Sequence, residues 1–256
     1  MSDLSFAVAL GTLGLFVGSF LNVCIYRLPL GRTVLWGRSH CPHCDRQIRA
    51  WENIPVVSWL ALRGRCAGCR ASIGVKYPIV ELVTGLLFAG AAWLYGPTLL
   101  LVPRLLFACA MVVLFMIDLE HRILPNVITL PGIVAGLAFS LFLPPGFRDA
   151  LIGAVLCSLL LFGMGEVVSR VLGKEALGFG DVKMIAMMGA FLGWQLTLVS
   201  LFLASFLGSV IGIALVAVTK NRDYLIPLGS FLAIGAIAAG AFGQPLLDWY
   251  VGHMFP

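Results

Sequence analysis

The chain has 256 residues, of which 60% are hydrophobic and 11% charged, and its mean hydropathy is +1.01. A soluble domain this apolar has no way to cover its surface, which excludes an ordinary globular enzyme and indicates a membrane protein. The formal net charge of +5 is no argument for nucleic acid, because the basic residues follow membrane topology rather than forming a patch.

A span needs roughly 20 apolar residues. Eight helices are expected, near 4–27, 78–95, 98–117, 123–143, 149–171, 182–195, 197–219 and 226–248. The first is expected to stay as a resident helix rather than a cleaved signal: it lacks a basic start, it is long, and polar Asn22 lies inside it. Turn signals at Tyr95-Gly-Pro97, Pro144-Pro-Gly146 and Asn221-Arg-Asp223 separate several helices. The sixth is short, with Gly193-Trp194 marking its turn into the seventh. The reading is an all-α polytopic protein in three parts: a first transmembrane helix at 1–28, a zinc-ribbon-like segment at 29–77 and a seven-helix core at 78–256.

Orientation follows from the basic residues. Arg27, those of the loop 29–77, Arg122, Arg170, Lys174, Lys183, Lys220 and Arg222 fall on one side, leaving only Arg104 and Arg148 on the other. Positive residues stay cytoplasmic. The loop is therefore expected inside the cell and both termini outside.

That loop holds Cys41-Pro-His-Cys44 and Cys66-Ala-Gly-Cys69, 21 residues apart. Two facing CxxC knuckles supply four thiolates for one tetrahedral zinc, and a reducing compartment disfavours disulfides. A metal also explains how some 50 residues with a thin core can fold. A redox CxxC, or His40 or His43 replacing one sulfur, are the alternatives. A closed four-thiolate site has no open position, so the metal reads as structural. Cys24, Cys109 and Cys157 read as packing inside apolar helices.

Asp118 and Asp181 interrupt apolar sequence, where a carboxylate is costly. Two spans separate them, so both reach the same membrane face, the cytoplasmic one. Two acids at one depth on one face can share a proton and activate water, which points to an intramembrane aspartyl protease. Taken singly, each acid beside Arg122 or Lys183 reads as a topology anchor. Glu81 and Glu166 also lie within spans; Glu81 suits either a cation or substrate partner or a buried hydrogen-bonded role. Asn126, after Pro125, reads as an N-cap starting the fourth helix.

The chain resembles the bacterial type IV prepilin peptidases over nearly its whole length. The resemblance is carried by Gly18-Ser-Phe-Leu-Asn-Val23 with Tyr26-Arg-Leu-Pro29, both CxxC pairs, Glu52-Asn-Ile-Pro-Val56, and Tyr77-Pro with Glu81. It continues through Asp118 to Ile123, Pro125-Asn126, Lys174-Glu175 and Gly178-Phe-Gly-Asp-Val-Lys183. Ala176-Leu177 departs from the family pattern and touches packing only. The resemblance implies that Asp118 and Asp181 are the catalytic dyad of a GxGD-type aspartic protease in the bacterial inner membrane. Gly178 and Gly180 have no Cβ and allow close backbone approach beside Asp181. Lys183 either sets the local potential or marks the cytoplasmic boundary, the second being favoured.

By the same resemblance the substrates are prepilin and pseudopilin precursors with a short basic leader, a Gly before the cut and an apolar helix after it. The resemblance also implies N-methylation of the new N-terminus with S-adenosylmethionine, with Glu52 and Asn53 as contacts to the amine or cofactor. No strand followed by a GxGxxG turn occurs, so a Rossmann-type methyltransferase is not encoded. Membrane lipid is the other expected partner, and nucleic acid is not. Two rival classes, a polytopic transporter and a membrane-anchored zinc-ribbon interaction module, lack respectively the paired broken helices of transporters and a reason for so many spans.

Overall fold

The computed structural model describes residues 3–34, 36–173, 177–219 and 227–254. Lys174, Glu175, Ala176, Lys220 and the expected turn Asn221-Arg222-Asp223 lie outside them. The described residues are helical apart from loops, turns and two isolated bridges. The chain divides into two compact units, residues 1–101 and 102–256.

In the first unit, α1 (Asp3–Arg27) packs on α3 (Lys76–Tyr95), with a one-and-a-half-turn helix, α2 (Val57–Ala61), in the loop between them. The buried face of α1 includes Ala7, Gly14, Gly18, Leu21 and Ile25, a helical spacing. Lipid tails are as apolar as leucine, so helices in a bilayer associate through close packing and small residues rather than hydrophobic exclusion. Gly18 shows how close: a Cβ there would stand 2.7 Å from the Cα of Glu81. The helix α3 ends at Gly96, whose φ of 58° and ψ of −166°, a backbone open to glycine, make the turn expected at Tyr95-Gly-Pro97.

The second unit contains α4 (Leu101–His121), α5 (Asn126–Ser140), α6 (Phe147–Ile152), α7 (Ser158–Leu172), α8 (Phe179–Thr219) and α9 (Leu228–Met254). A π-helical turn at Gly153–Cys157 joins α6 to α7 into one rod. In α8, Gly193 has φ 78° and ψ 171°, which breaks the helix into arms 179–192 and 194–219 at the expected turn. Among the described residues, six stretches are long and apolar enough to cross a membrane: Asp3–Arg27, Lys76–Tyr95, Leu101–His121, Phe147–Val171, Phe179–Leu215 and Leu228–Tyr250. With α8 counted as two arms and the shorter apolar α5 added, the described helices match the eight expected.

Two boundaries differ from expectation in a way that matters for the site. The helix expected at 98–117 runs on to His121, because nothing breaks it before Arg122, whose φ of 56° and N–H bond to the Asp118 carbonyl (2.8 Å) close it off. The helix expected from 182 begins at Phe179. Asp118 thus sits in a last helical turn and Asp181 in a first one.

The arm 179–192 is the centre of this unit. Met184, Ile185, Met187 and Met188 are fully buried with Met111 and Leu114 of α4 and Leu232 and Ala233 of α9. It is fixed by backbone-close crossings: Gly132 and Gly136 of α5 lie against Met187 and Ala190, and Gly153 lies against Gly189. A Cβ on Gly189 would fall 2.2 Å from the Gly153 carbonyl carbon, with no side chain able to yield. We expect Gly189→Val to lower the melting temperature of the detergent-solubilised protein by about 5 °C or more, the cost of overpacking. Gly163→Ala, where a Cβ would meet nothing within 4 Å, should leave it unchanged or slightly raised. Differential scanning fluorimetry of the two variants distinguishes these outcomes.

Candidate active site and metal centre

Asp118 is buried, with only 6% of its surface exposed. Its Oδ2 accepts two hydrogen bonds from Ser230 near the start of α9: one from the backbone N–H at 2.6 Å and one from the hydroxyl at 2.9 Å. Gly229 makes this approach possible, since a Cβ there would stand 3.0 Å from both Cγ and Oδ2 of Asp118.

Asp181 is half-buried in the first turn of α8 and close enough to Asp118 for their charges to interact. Its N–H donates to the Gly178 carbonyl at 3.1 Å, and a Cβ on Gly178 would meet its Oδ2 at 3.2 Å. Gly180 faces Leu124, whose Cβ is 3.1 Å from where a Cβ would stand. The Cδ1 of the same Leu124 also meets Gly229, 3.2 Å from where a Cβ would stand. One leucine side chain is therefore wedged between the glycine beside Asp181 and the glycine beside Asp118.

Lys183 donates to Asn126 Oδ1 at 2.8 Å and stands 4.9 Å over the Phe179 ring. Asn126 is the first residue of α5 rather than its cap; the cap position belongs to Pro125. As the first residue within the helix, Asn126 stands past the position from which a side chain caps the first amides, and its side chain instead ties α5 to α8.

In the first unit the four cysteines converge, with all four sulfurs within 4.8 Å of one another. The two knuckles repeat one geometry. The N–H of Cys41 donates to the Arg46 carbonyl (2.9 Å) and that of Cys66 to the Ala71 carbonyl (2.8 Å). In each, the residue after the second cysteine takes positive φ, 54° at Asp45 and 61° at Arg70. Cys41 Sγ and Cys69 Sγ are 3.8 Å apart, the separation of about 3.8 Å that tetrahedral Zn–S bonds of roughly 2.3 Å require. Amides of Cys69 and Gly68 pull the Cys66 thiol down to about 6. The Ala71 amide pulls on Cys69 too, but desolvation and the neighbouring sulfurs push it up to about 11. Four sulfurs so close cannot all ionise without a cation, and the donor set fits zinc.

Arg46 links this centre to Glu52. Its guanidinium hydrogen-bonds both Glu52 carboxylate oxygens, and the Arg49 N–H adds a third bond at 3.0 Å. These bonds hold the Glu52 carboxyl below the usual carboxylate range, Arg46 contributing most. A cleft of about 740 Å³ lies beside them, lined among others by Arg38, Arg46, Arg49, Trp51 and Asn53. Asn53 faces the cleft, whereas Glu52 is engaged by the two arginines. The Arg49 guanidinium lies 5.2 Å from the Trp51 ring centre.

Glu81 takes the hydrogen-bonded role of the two open to it. It is buried on α3 and accepts the Val56 N–H at 2.8 Å. Val56 holds φ 61° and ψ −49°, an unfavourable backbone for a β-branched residue. Asn22 donates to the Tyr77 carbonyl at 3.1 Å. The segments around residues 18–22, 52–56 and 77–81 therefore meet as one polar network. Sequence reading missed Ser230, Gly229 and Leu124; the one available signal was a Gly-Ser pair opening the last apolar helix, which reads as an ordinary helix start.

Two family models match the chain: the bacterial peptidase A24 N-terminal domain over residues 12–95 and the type IV leader peptidase family over residues 105–213. A prepilin leader peptidase/N-methyltransferase of Stutzerimonas stutzeri is 39% identical over 98% of this chain and 95% of its own length. One from Pseudomonas aeruginosa is 37% identical over 97% and 94%. One from Myxococcus xanthus is 49% identical over 84% of this chain and 64% of its own length. No solved structure matches the chain.

The metal centre makes its own prediction. Purified protein should carry one zinc per chain, and Cys41→Ser or Cys66→Ser should lose it. Metal analysis by mass spectrometry checks the first statement, and trypsin sensitivity of the arginine-rich loop 29–77 should rise in the variants.

Proposed function

This chain belongs to the type IV leader peptidase family, and we propose that Asp118 and Asp181 are the pair with which it cuts leader peptides from prepilins and pseudopilins. The observation that carries this reading is the meeting of the two acids, from the end of α4 and the start of α8, within electrostatic reach in an apolar helical unit. Like charges close together in low dielectric share a proton. The ionised acid takes a proton from water as the water attacks the scissile carbonyl, while the protonated acid donates to the carbonyl oxygen. In the collapse that follows, the acid that took water's proton gives it to the leaving amine as the C–N bond breaks, and the other acid regains its proton from the intermediate's hydroxyl, which returns the pair to its starting state.

Gly178 and Gly180, on either side of Phe179, support the pair by putting no Cβ against the Asp181 carboxylate or against Leu124. Lys183 and Asn126 support it by joining α8 to α5. A helical peptide shields its carbonyls, so the substrate must unwind at the cut, and a Gly before the cut eases this. We place the pair at the cytoplasmic face of the bacterial inner membrane, both termini outward, where a short basic leader stays in the cytoplasm and the apolar helix after it lies in lipid. The names of the relatives favour neither a transporter nor an anchored interaction module.

After cleavage, the same chain methylates the new N-terminal residue of its substrate. S-adenosylmethionine supplies an activated methyl group for transfer to that amine. We assign this activity to the 29–77 segment, with residues 78–256 as the peptidase core. The cleft beside Asn53 fits such a cofactor in size and chemistry: guanidinium groups suit its carboxylate and the exposed Trp51 ring suits its adenine. Glu52 orders this wall by fixing Arg46 and the Arg49 backbone, and zinc holds the knuckles behind it.

Cleavage of a purified prepilin should fall by about 10³-fold or more in Asp118→Asn and in Asp181→Asn, with zinc content unchanged in both. Normal cleavage by either variant would overturn the aspartyl mechanism. In a labelled methyl-donor assay, wild type should label the cleaved pilin; absence of any transfer would remove the methylation half.

A further inference from the structure

We infer that Ser230 divides the labour within the aspartate pair: it holds Asp118 as the carboxylate that activates water, leaving Asp181 as the acid that polarises the scissile carbonyl. This rests on the pair being catalytic, as proposed above, and adds which member does what.

The first amides of a helix have no partner within it. Ser230 is the third residue of α9, and its N–H is one of these; it donates to Asp118 Oδ2 at 2.6 Å. An amide can only donate, so this oxygen must accept, and the positive end of a helix favours a negative charge there. The same is true, more weakly, of the other acid. Asp181 also lies in a first helical turn, and it takes one backbone bond, from Gly178. Helix ends alone therefore leave the pair near balance.

The hydroxyl tips it. Ser230 Oγ lies 2.9 Å from Asp118 Oδ2 and 3.3 Å from the Phe115 carbonyl, so its one hydrogen takes the shorter path to the carboxylate. Asp118 then has two donors where Asp181 has one among the described residues. Hydrogen bonds to a charged group are stronger than neutral ones, so the second donor favours charge on Asp118. Among the described residues, the other charged groups acting on Asp118 are Arg122, just past the end of its own helix, and Asp181 on α8. Arg122 works in the same direction as Ser230. Both Ser230 bonds fall on Oδ2, which leaves Oδ1 as the oxygen to take water's proton.

Ser230 is thus a positioning residue, acting through Asp118. Its removal should not resemble loss of an acid. Ser230→Ala keeps the amide bond and deletes the hydroxyl, so the anion binds its proton more tightly. The acid limb of the kcat–pH profile should move up by about one pH unit, with kcat below that limb falling about tenfold and KM for prepilin unchanged. Ser230→Thr keeps the hydroxyl and should restore the wild-type profile. Zinc content and melting temperature of each variant establish that it is folded.

A folded Ser230→Ala enzyme with the wild-type acid limb overturns the inference. So does a fall equal at every pH that Ser230→Thr does not rescue, since that is the signature of packing alone. Asp118→Asn run in parallel separates the two levels. If it is inactive while Ser230→Ala is unchanged, the pair stands and the division of labour falls. If it cleaves normally, both fall.

Discussion

Everything in the larger unit depends on how close two helix backbones can come. In a bilayer no hydrophobic exclusion pushes helices together, so association must come from contact itself. The Gly153–Gly189 crossing supplies contact of the most intimate kind, backbone on backbone, while at Gly132 and Gly136 of α5 the Met187 side chain, Ala190 and the Phe191 ring fill the space a Cβ would take. These crossings hold the arm that begins with Asp181. The carboxyl groups inherit their separation from glycines a turn or more away, which make no chemical contribution of their own.

A second constraint is the satisfaction of polar groups where water is scarce. The structure meets it repeatedly by aiming a loose helix end or loop amide at a carboxylate. Ser230 does this for Asp118, and Val56 does it for Glu81 in the first unit. The two carboxylates differ in what surrounds them. Glu81 is enclosed among α1, α3 and the 52–56 segment and serves as a strut, holding Val56 in a backbone it would otherwise leave. Asp118 has a second acid within reach. The same local device yields a structural joint in one place and a reactive group in the other.

How far the sequence reveals this depends on the range of the interaction. The helices, the break at Gly193, the turn at Gly96 and the gathering of four cysteines were all legible, because each is written in local composition or short spacing. The continuation of α4 through Asp118 was not, because polar residues after an apolar run look like its end, while in fact the helix stops only where Arg122 turns left-handed. Asn126 looked like a cap and instead meets Lys183, 57 residues away. Ser230 and Asp118 are 112 residues apart, and no periodicity connects them. A hydroxyl at the start of a helix announces a cap, and only the fold shows that it points at another helix.

The broken helix α8 has a consequence for how a short rod is housed. The arm 179–192 is about 21 Å long, and the 15 residues of α5 span about 22 Å, at roughly 1.5 Å per residue. Both fall short of a hydrocarbon layer about 30 Å thick. A bilayer can thin to meet a short span that faces lipid, but the arm faces protein: Met184, Ile185, Met187 and Met188 are fully buried, and Gly193 at its far end is buried too. Its missing length is made up by the helices packed around it. The irregular backbone at Gly193 is thereby enclosed in protein, where such backbone is tolerated at membrane depth.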